Sequence, residues 1–329
     1  MPPSTPRARF GLLLVLLTAT FSGVATFVNF WAVQGTNSDA FLALRNALVA
    51  LILLPLALLA TYAIPGESRR KLRPTDWGRL LVIGLVGGAI PFVLFFRGLQ
   101  MAGTAGAATA SYGYRTLFLM ATVLGVVFLK ERLHGRMFVA AALLLIGNGF
   151  LLSLAAPIWT DGTLLVLVAT ALWAGEYGLS KRLLRDLPSG TVAAGRVGFG
   201  ALFLFAYVGV TGQFGAIAGW AAVLGAVGTP AWWWMILSVI LLAGFVSTWY
   251  AGLRHVDLSV ATTVLLLGFP ITWALGLLVG RTSLGVVPAA GAVAVVLGVG
   301  IAVGLAALRD TWSAVVEAAV VRMRRAPWT

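Results

Sequence analysis

Apolar segments of about 20 residues recur along the whole chain and are separated by short polar connectors. Each segment is long enough to cross a hydrocarbon core of roughly 30 Å as an α-helix. The pattern predicts ten spans, at residues 10–33, 40–62, 78–97, 103–129, 136–155, 162–180, 191–211, 231–252, 257–280 and 285–307. The expected fold class is therefore an all-α integral membrane protein with ten transmembrane helices.

The start of the chain has the basic residues and short apolar core of a secretory signal. However, the apolar stretch continues to Val33 without a charge, which is too long for a cleaved signal. We therefore interpret it as the first spanning helix, retained in the protein.

The composition supports a membrane class and disfavours enzymes. Hydrophobic residues make up 60% of the chain and charged residues 10%, against roughly a quarter charged in soluble domains. There is no cysteine, which excludes disulfides and thiolate chemistry. The two histidines, His134 and His255, lie in predicted loops without a carboxylate cluster, and no phosphate-binding GK[ST] motif is present. We expect no enzyme activity, metal site or cofactor.

The charged residues are distributed unevenly between the two predicted sides. With the N-terminus placed in the cytoplasm, eighteen of the 23 Lys and Arg residues fall on the cytoplasmic side, Arg97 and Arg281 fall opposite, and three lie within spans. This follows the positive-inside rule. It predicts a multi-pass protein of the inner (plasma) membrane with both termini cytoplasmic, and it explains the net charge of +13 without a nucleic-acid partner.

The two halves of the chain resemble each other. LLVL at 13–16 recurs at 164–167, and Arg45 recurs as Arg196 at the same offset; the segment beginning at Arg97 aligns with that beginning at Ala251. Five spans per half is an odd number, so the second half is expected to be inverted, as in many secondary transporters. The predicted organisation is a cytoplasmic N-terminus (1–9), repeats at 10–155 and 162–307, and a basic cytoplasmic tail (308–329). For the tail, the sequence leaves two alternatives open: a helix on the membrane surface and a disordered extension.

Two segments carry a family resemblance. AATASYGYRTLFLMATVLGVVFLKERL at 107–133 and ATTVLLLGFPITWALGLLVG at 261–280 resemble EamA-type transporters of the drug/metabolite transporter superfamily, as do the arginines near the starts of the second and seventh spans. The resemblance implies a ten-helix inverted-repeat carrier of small metabolites, often an exporter of amino acids or related compounds.

The sequence departs from the family pattern in two places. The family proline of the fourth span is replaced by Tyr114-Arg115-Thr116, although Pro270 is present in the ninth span. The acidic residue that follows the fourth span is Glu131, whereas the second half has Gly280-Arg281-Thr282 there.

Arg115 is the leading candidate for the substrate site. It falls near the middle of the fourth span, where a charge is costly and is expected to face the bundle interior or a water-filled cavity. Ser111, Tyr112 and Tyr114 lie beside it, and a guanidinium suits a carboxylate or phosphate. An anion-binding role and a structural anchor to backbone carbonyls or to Glu176 are both open.

Three further intramembrane charges are candidates for coupling or gating. Glu176 and Arg196 lie at equal depths in consecutive antiparallel spans, so an ion pair between them is expected. A proton-carrying role for Glu176 is the alternative. Arg45 is either an outer gate residue or a side chain that snorkels to the headgroups. Among the aromatic residues, Trp173, Tyr177 and Trp273 are deep enough to line a cavity, although packing against lipid or neighbouring helices is favoured over that role.

These features predict a secondary transporter of a small metabolite, such as an amino acid or related carboxylate, with a central site between the repeats. The alternative is a proton-coupled antiporter of amine or drug-like cations that uses Glu176. A membrane enzyme or a non-transporting scaffold is a remote alternative. The expected partners are the lipid bilayer and a small-molecule substrate, and monomer and homodimer are both open.

Overall fold

The computed structural model describes residues 6–32, 37–63, 72–153, 156–280, 282 and 284–304. Every regular element in these ranges is an α-helix. The helices are α1 (Pro6–Ala32), α2 (Ser38–Ala63), α3 (Pro74–Gly88), α4 (Ile90–Arg115), α5 (Leu117–Leu129), α6 (Gly135–Leu151), α7 (Asp161–Leu183), α8 (Ser189–Val210), α9 (Phe214–Gly225), α10 (Pro230–Leu253), α11 (Leu258–Leu265), α12 (Gly268–Leu278) and α13 (Val286–Val303).

Nine helical stretches in the described part of the chain are long and apolar enough to cross a membrane. The predicted fifth span is represented by α6, which is apolar but has 17 residues, and α9 is a helix of 12 residues within the predicted connector 212–230. The all-α class and the many apolar spans are thus confirmed, while the count of ten stays a prediction. The predicted tail, 308–329, lies outside the described residues.

The third predicted span is longer than expected and is broken near its middle. Its helical residues extend from Pro74 to Gly103, with a break at Ala89 between α3 and α4. Pro91 accounts for the break, because it has no N–H to donate to the carbonyl of Gly87. Helix α4 contains the end of this span and the start of the fourth. The two parts are separated at Gly103, whose φ of 59° favours glycine.

The fourth and ninth predicted spans are each divided into two helices. In the ninth, Pro270 has no N–H for the carbonyl of Leu266, which instead accepts a bond from the Phe269 N–H at 3.1 Å, between α11 and α12. In the fourth, the break lies at Thr116, whose hydroxyl donates to the carbonyl of Gly113 at 2.7 Å. The first half thus has a threonine where the second half has a proline, and the span is broken there in both halves.

Glycines allow helices from the two halves to approach closely. Helix α1 packs against α10, and α4 packs against α7. A Cβ at Gly252 would lie 3.0 Å from the carbonyl oxygen of Gly11, and a Cβ at Gly98 would lie 2.7 Å from that of Gly162. Because only glycine lacks a Cβ, these contacts join the backbones directly, as at small-residue interfaces of membrane helices. Helices α2 and α8, and α6 and α13, also pack across the two halves.

Candidate functional site

Arg115 is the last residue of α4, immediately before the break at Thr116. Its Nη1 donates to Oδ1 of Asn148 on α6 at 3.1 Å, and its guanidinium carbon lies 4.1 Å from the centroid of the Phe269 ring on α12. Asn148 is itself oriented, because its Nδ2 donates to the carbonyl of Leu144 at 2.8 Å. The guanidinium is therefore held between both halves of the chain by an amide oxygen and an aromatic face.

Arg115 donates one hydrogen bond to the residues that the structure describes. A guanidinium has five N–H donors, and the buried Nε has no hydrogen-bond partner. The neighbouring hydroxyls do not supply one: Tyr112 donates to the carbonyl of Leu145 at 3.3 Å, and Ser111 forms no bond to the guanidinium. Within the described ranges no carboxylate pairs with Arg115, so its charge is not balanced locally.

Aromatic rings enclose one side of Arg115. Tyr114 lies 5.5 Å from Trp173 and 6.0 Å from Phe269, measured between ring centroids. Trp173 is buried and continues the cluster to Phe92 and Phe95, at 5.2 and 5.5 Å. The structure thus brings three predicted site residues together: Arg115, Tyr114 and Trp173.

The other two predicted aromatic residues lie elsewhere. Tyr177 is buried and packs on Trp249 at 4.6 Å, on α10. Trp273 is half-buried, and its backbone carbonyl accepts a bond from the Thr282 hydroxyl at 3.3 Å. Among the described residues, the ring contacts that join Tyr114 to Trp173 and Phe269 do not include either ring.

Glu176 and Arg196 form the ion pair that their equal depths predict. Glu176 is fully buried, and its Oε2 lies 3.7 Å from Nε of Arg196. Its Oε1 accepts hydrogen bonds from the hydroxyls of Ser180 and Tyr250, the latter at 2.7 Å. The carboxylate is held from three helices, which offsets part of the cost of removing it from water.

The break before Pro91 supplies a further partner for this pair. The carbonyl of Gly87, which Pro91 leaves without its helical donor, accepts bonds from Nη2 of Arg196 at 2.9 Å and from Nε1 of Trp173 at 3.0 Å. The two side chains therefore satisfy a buried backbone group, as membrane helices require. The kink in one half of the chain is tied to charged residues of the other.

Arg45 does not snorkel, since only 3% of it is exposed. Its guanidinium carbon lies 5.3 Å from the centroid of Phe41 and 5.9 Å from that of Phe92. The guanidinium of Arg196 lies 5.9 Å from the same Phe92 centroid. Two arginines at equivalent repeat positions therefore share one ring.

Polar contacts close the end of the bundle that carries Lys130, Arg132 and Arg185, which we call the basic end. Glu131, from the first half, accepts hydrogen bonds at the N-terminus of α11: 2.6 Å from the Leu258 N–H, 3.1 Å from the Ser259 N–H and 2.7 Å from the Ser259 hydroxyl. A carboxylate is favoured there by the unpaired N–H groups and the helix dipole. We call this contact the Glu131 latch.

A second contact stands beside the Glu131 latch. Nζ of Lys181 donates to the carbonyls of Leu253 and Val256, at 2.6 and 2.7 Å, where α10 ends. An ammonium is favoured at a helix C-terminus. The connector between α10 and α11 is thus bound at both of its ends by charged side chains, one from the connector between α5 and α6 and one from α7.

A cavity of about 550 Å³ lies at the opposite end of the bundle. We call it the outer vestibule, because the positive-inside rule predicts that this end faces away from the cytoplasm. Asn37 caps α2 there, because its Oδ1 accepts from the Ala40 N–H at 2.9 Å, and its Nδ2 donates to Oε1 of Gln213 at 2.7 Å. All lining residues except one are polar: Asn37, Ser38, Asp39, Arg97, Gln100, Met101 and Gln213.

Sequence reasoning missed several partners. Asn148 carried a usable signal, because it is the one polar side chain of the apolar helix α6 apart from Arg136 at the helix start. Tyr250 and Phe92 carried none, since aromatic residues are common throughout the chain. The carbonyl of Gly87 became identifiable only once the kink at Pro91 was placed against Trp173.

Comparison with known proteins identifies the family. Residues 9–153 and 160–304 each match the EamA-like transporter family. A solved structure described as "Crystal structure of protein" is similar in fold, with a TM-score of 0.65 and 18% sequence identity, over 89% of this chain and 95% of that one. No curated protein matches the sequence. The chain therefore belongs to the EamA-like transporter family, whose members are multi-pass membrane transporters of the drug/metabolite transporter superfamily.

Proposed function

We propose that this protein is a secondary transporter that moves a small carboxylate-bearing metabolite, such as an amino acid, by alternating access, in the direction of export that the family resemblance implies. The observation that carries the proposal is the environment of Arg115. It is a half-buried cation between the two halves of the chain, and no carboxylate of the described residues balances it. A bidentate carboxylate ligand would fill that role.

An inverted repeat of ten spans, at 10–155 and 162–307, would account for the packing. At the offset of 151, Gly11 is equivalent to Gly162, and at 154, Gly98 is equivalent to Gly252. The contact between Gly11 and Gly252 is then repeated by that between Gly162 and Gly98. Arg115 is likewise equivalent to Phe269, which it touches. Equivalent residues meet only near a pseudo-two-fold axis, and inverted-repeat carriers place their substrate there.

Alternating access is supported by the unequal ends of the bundle. The Glu131 latch and Lys181 hold the basic end closed, whereas the outer vestibule remains open. From the positive-inside rule we infer that the basic end and both termini lie in the cytoplasm, and we propose the plasma membrane as the bilayer. The arrangement then corresponds to a carrier open to the outside, as a monomer or homodimer.

A second candidate rests on Glu176. Its Oε2 is buried without a hydrogen bond, and its nearest charge lies 3.7 Å away. A carboxylate so loosely paired could exchange a proton during the transport of an amine or drug-like cation. Arg196 would then stabilise the deprotonated carboxylate of Glu176.

Transport into proteoliposomes distinguishes the two candidates. Vesicles containing the parental protein, Arg115→Gln, Arg115→Lys or Glu176→Gln are tested with radiolabelled amino acids, organic acids and amines. The proposal expects carboxylate flux that falls at least tenfold in Arg115→Gln and is only partly restored in Arg115→Lys, because lysine cannot bind bidentately. Carboxylate flux that is unchanged in Arg115→Gln would overturn it, and amine flux lost only in Glu176→Gln would favour the second candidate.

A further inference from the structure

Arg45 is a buried cation without a balancing group among the residues that the structure describes. Only 3% of the residue is exposed, its Nε is buried without a partner, and the side chain makes no hydrogen bond within the described ranges. Its contacts are the faces of Phe41 and Phe92. Burying an ion without a hydrogen-bonded counter-charge costs free energy, so a bound anion would stabilise the protein at this residue.

Its nearest charged neighbour makes the imbalance larger. Arg196 stacks on the same Phe92 ring, and these two cations are accompanied by a single carboxylate, Glu176. Glu176 contacts Arg196, and Arg45 has no part in that pair. One positive charge therefore remains uncompensated in a region of low dielectric, where a counter-ion is bound strongly.

The outer vestibule lies within two helical turns of this position. Asp39 lines the vestibule on α2 and Arg45 follows six residues later, about 9 Å farther along the helix at 1.5 Å per residue. On the facing helix α4, Arg97 lines the vestibule and Phe92 precedes it by five residues, about 7.5 Å. Both helices lead from the cavity to the shared ring. The vestibule is lined by polar groups that can hold a hydrated solute.

We propose that Arg45 and Arg196 form a paired-guanidinium site for a carboxylate monoanion, reached from the outer vestibule and distinct from the site at Arg115. The single uncompensated charge matches one carboxylate, and the fork of donors on Arg45 suits its two oxygens. Its role as a substrate subsite rests on the proposed function, whereas binding of the anion does not.

The stability of the ligand-free protein distinguishes a ligand-binding role of Arg45 from a structural role. An arginine that anchors the fold lowers the melting temperature when it is replaced. Arg45, in contrast, is repelled by Arg196 and has no hydrogen bond to lose, so Arg45→Gln is expected to melt at or above the parental temperature in chloride-buffered detergent. A melting temperature several degrees lower would overturn the proposal.

Ligand binding is measured by thermal shift with sodium acetate against sodium chloride at equal ionic strength. Acetate is expected to raise the melting temperature saturably, with an affinity that falls at least tenfold in Arg45→Gln and in Arg45→Lys but is retained in Arg115→Gln. An equal shift with chloride would overturn the carboxylate assignment. An acetate response lost in Arg115→Gln and kept in Arg45→Gln would overturn this inference and leave the proposed function standing. An acetate response lost in Arg45→Gln and kept in Arg115→Gln would support the inference. The role of Arg115 would then be tested by the transport assay.

Discussion

The Glu131 latch gives the most direct test of how the basic end is held closed. In Glu131→Gln one oxygen can still accept from the Leu258 N–H, but the group now facing the Ser259 N–H is an amide donor. The variant loses one charge-assisted hydrogen bond, about 1.5–3 kcal/mol, and the favourable charge at the N-terminus of α11, about 0.3–1 kcal/mol. Because Glu131 is half-buried, solvent screening reduces the total to about 2 kcal/mol.

If the latch exists only while the basic end is closed, a loss of about 2 kcal/mol raises the open population roughly 30-fold. The chain contains no cysteine, so a single introduced thiol reports on opening. Thr262→Cys is suitable, because Thr262 is buried on α11 and its hydroxyl bonds only to carbonyls of its own helix. The rate of modification by a water-soluble methanethiosulfonate reagent is compared with and without Glu131→Gln.

The matched control is Arg132→Gln, which changes the charge of an exposed neighbour outside the latch. Its modification rate is expected to stay within twofold of the rate in the Thr262→Cys parent. A Glu131→Gln rate that also stays within twofold would show that the latch does not hold the end closed. Equal acceleration by both variants would assign the effect to surface charge.

Three other predictions concern the interior and one connector, and each is measured by thermal unfolding in detergent. Gly98→Ala should destabilise the protein by about 1–3 kcal/mol, because its Cβ would lie 2.7 Å from the carbonyl oxygen of Gly162. Glu176→Gln should cost about 3 kcal/mol, because it leaves Arg196 buried without a counter-charge. Burial and then the charges of Arg254, Lys181 and Arg7 lower the pKa of His255 below its ordinary value of 6.5, so stability should fall as the pH decreases through about 6.5.

Each of these predictions has a control. Gly78→Ala meets nothing within 4 Å and should be neutral or stabilising by up to about 1 kcal/mol, so equal losses at both glycines would contradict the close-approach argument. For Glu176, a double variant with Arg196→Leu should recover part of the loss, and no recovery would argue against the ion pair. For His255, the unfolded state binds the extra proton in that pH window, so the slope should disappear in His255→Gln.

Much of the architecture was predictable from the sequence, because the bilayer allows few backbone structures. Backbone groups in lipid must be bonded within the chain, so apolar stretches of about 20 residues become helices. The ion pair of Glu176 and Arg196 was also predictable, because consecutive antiparallel helices place residues of equal depth side by side. The family resemblance was readable in the segments that contain Arg115 and Pro270, and the family match confirms it.

The helix breaks were only partly readable. Pro91 and Pro270 indicate interrupted helices, and the breaks at Ala89 and after Leu265 agree with their missing N–H groups. The break at Thr116 has no such signal, because a threonine hydroxyl bonds to its own helix in many unbroken helices. Its position became evident only from the structure, in which α4 ends at Arg115 and α5 begins at Leu117.

The tertiary structure alone decided which partner each charge has. From the sequence, Arg45 could have reached the headgroups and Arg115 could have bonded to Glu176, since span depth gives no rotation about the helix axis. Packing fixes that rotation: it turns Arg45 onto Phe92 and Arg115 onto Asn148. The sequence by itself therefore determined which residues are buried charges in a membrane, and only the packing of helices from both halves determined which of those charges remain without a counter-ion.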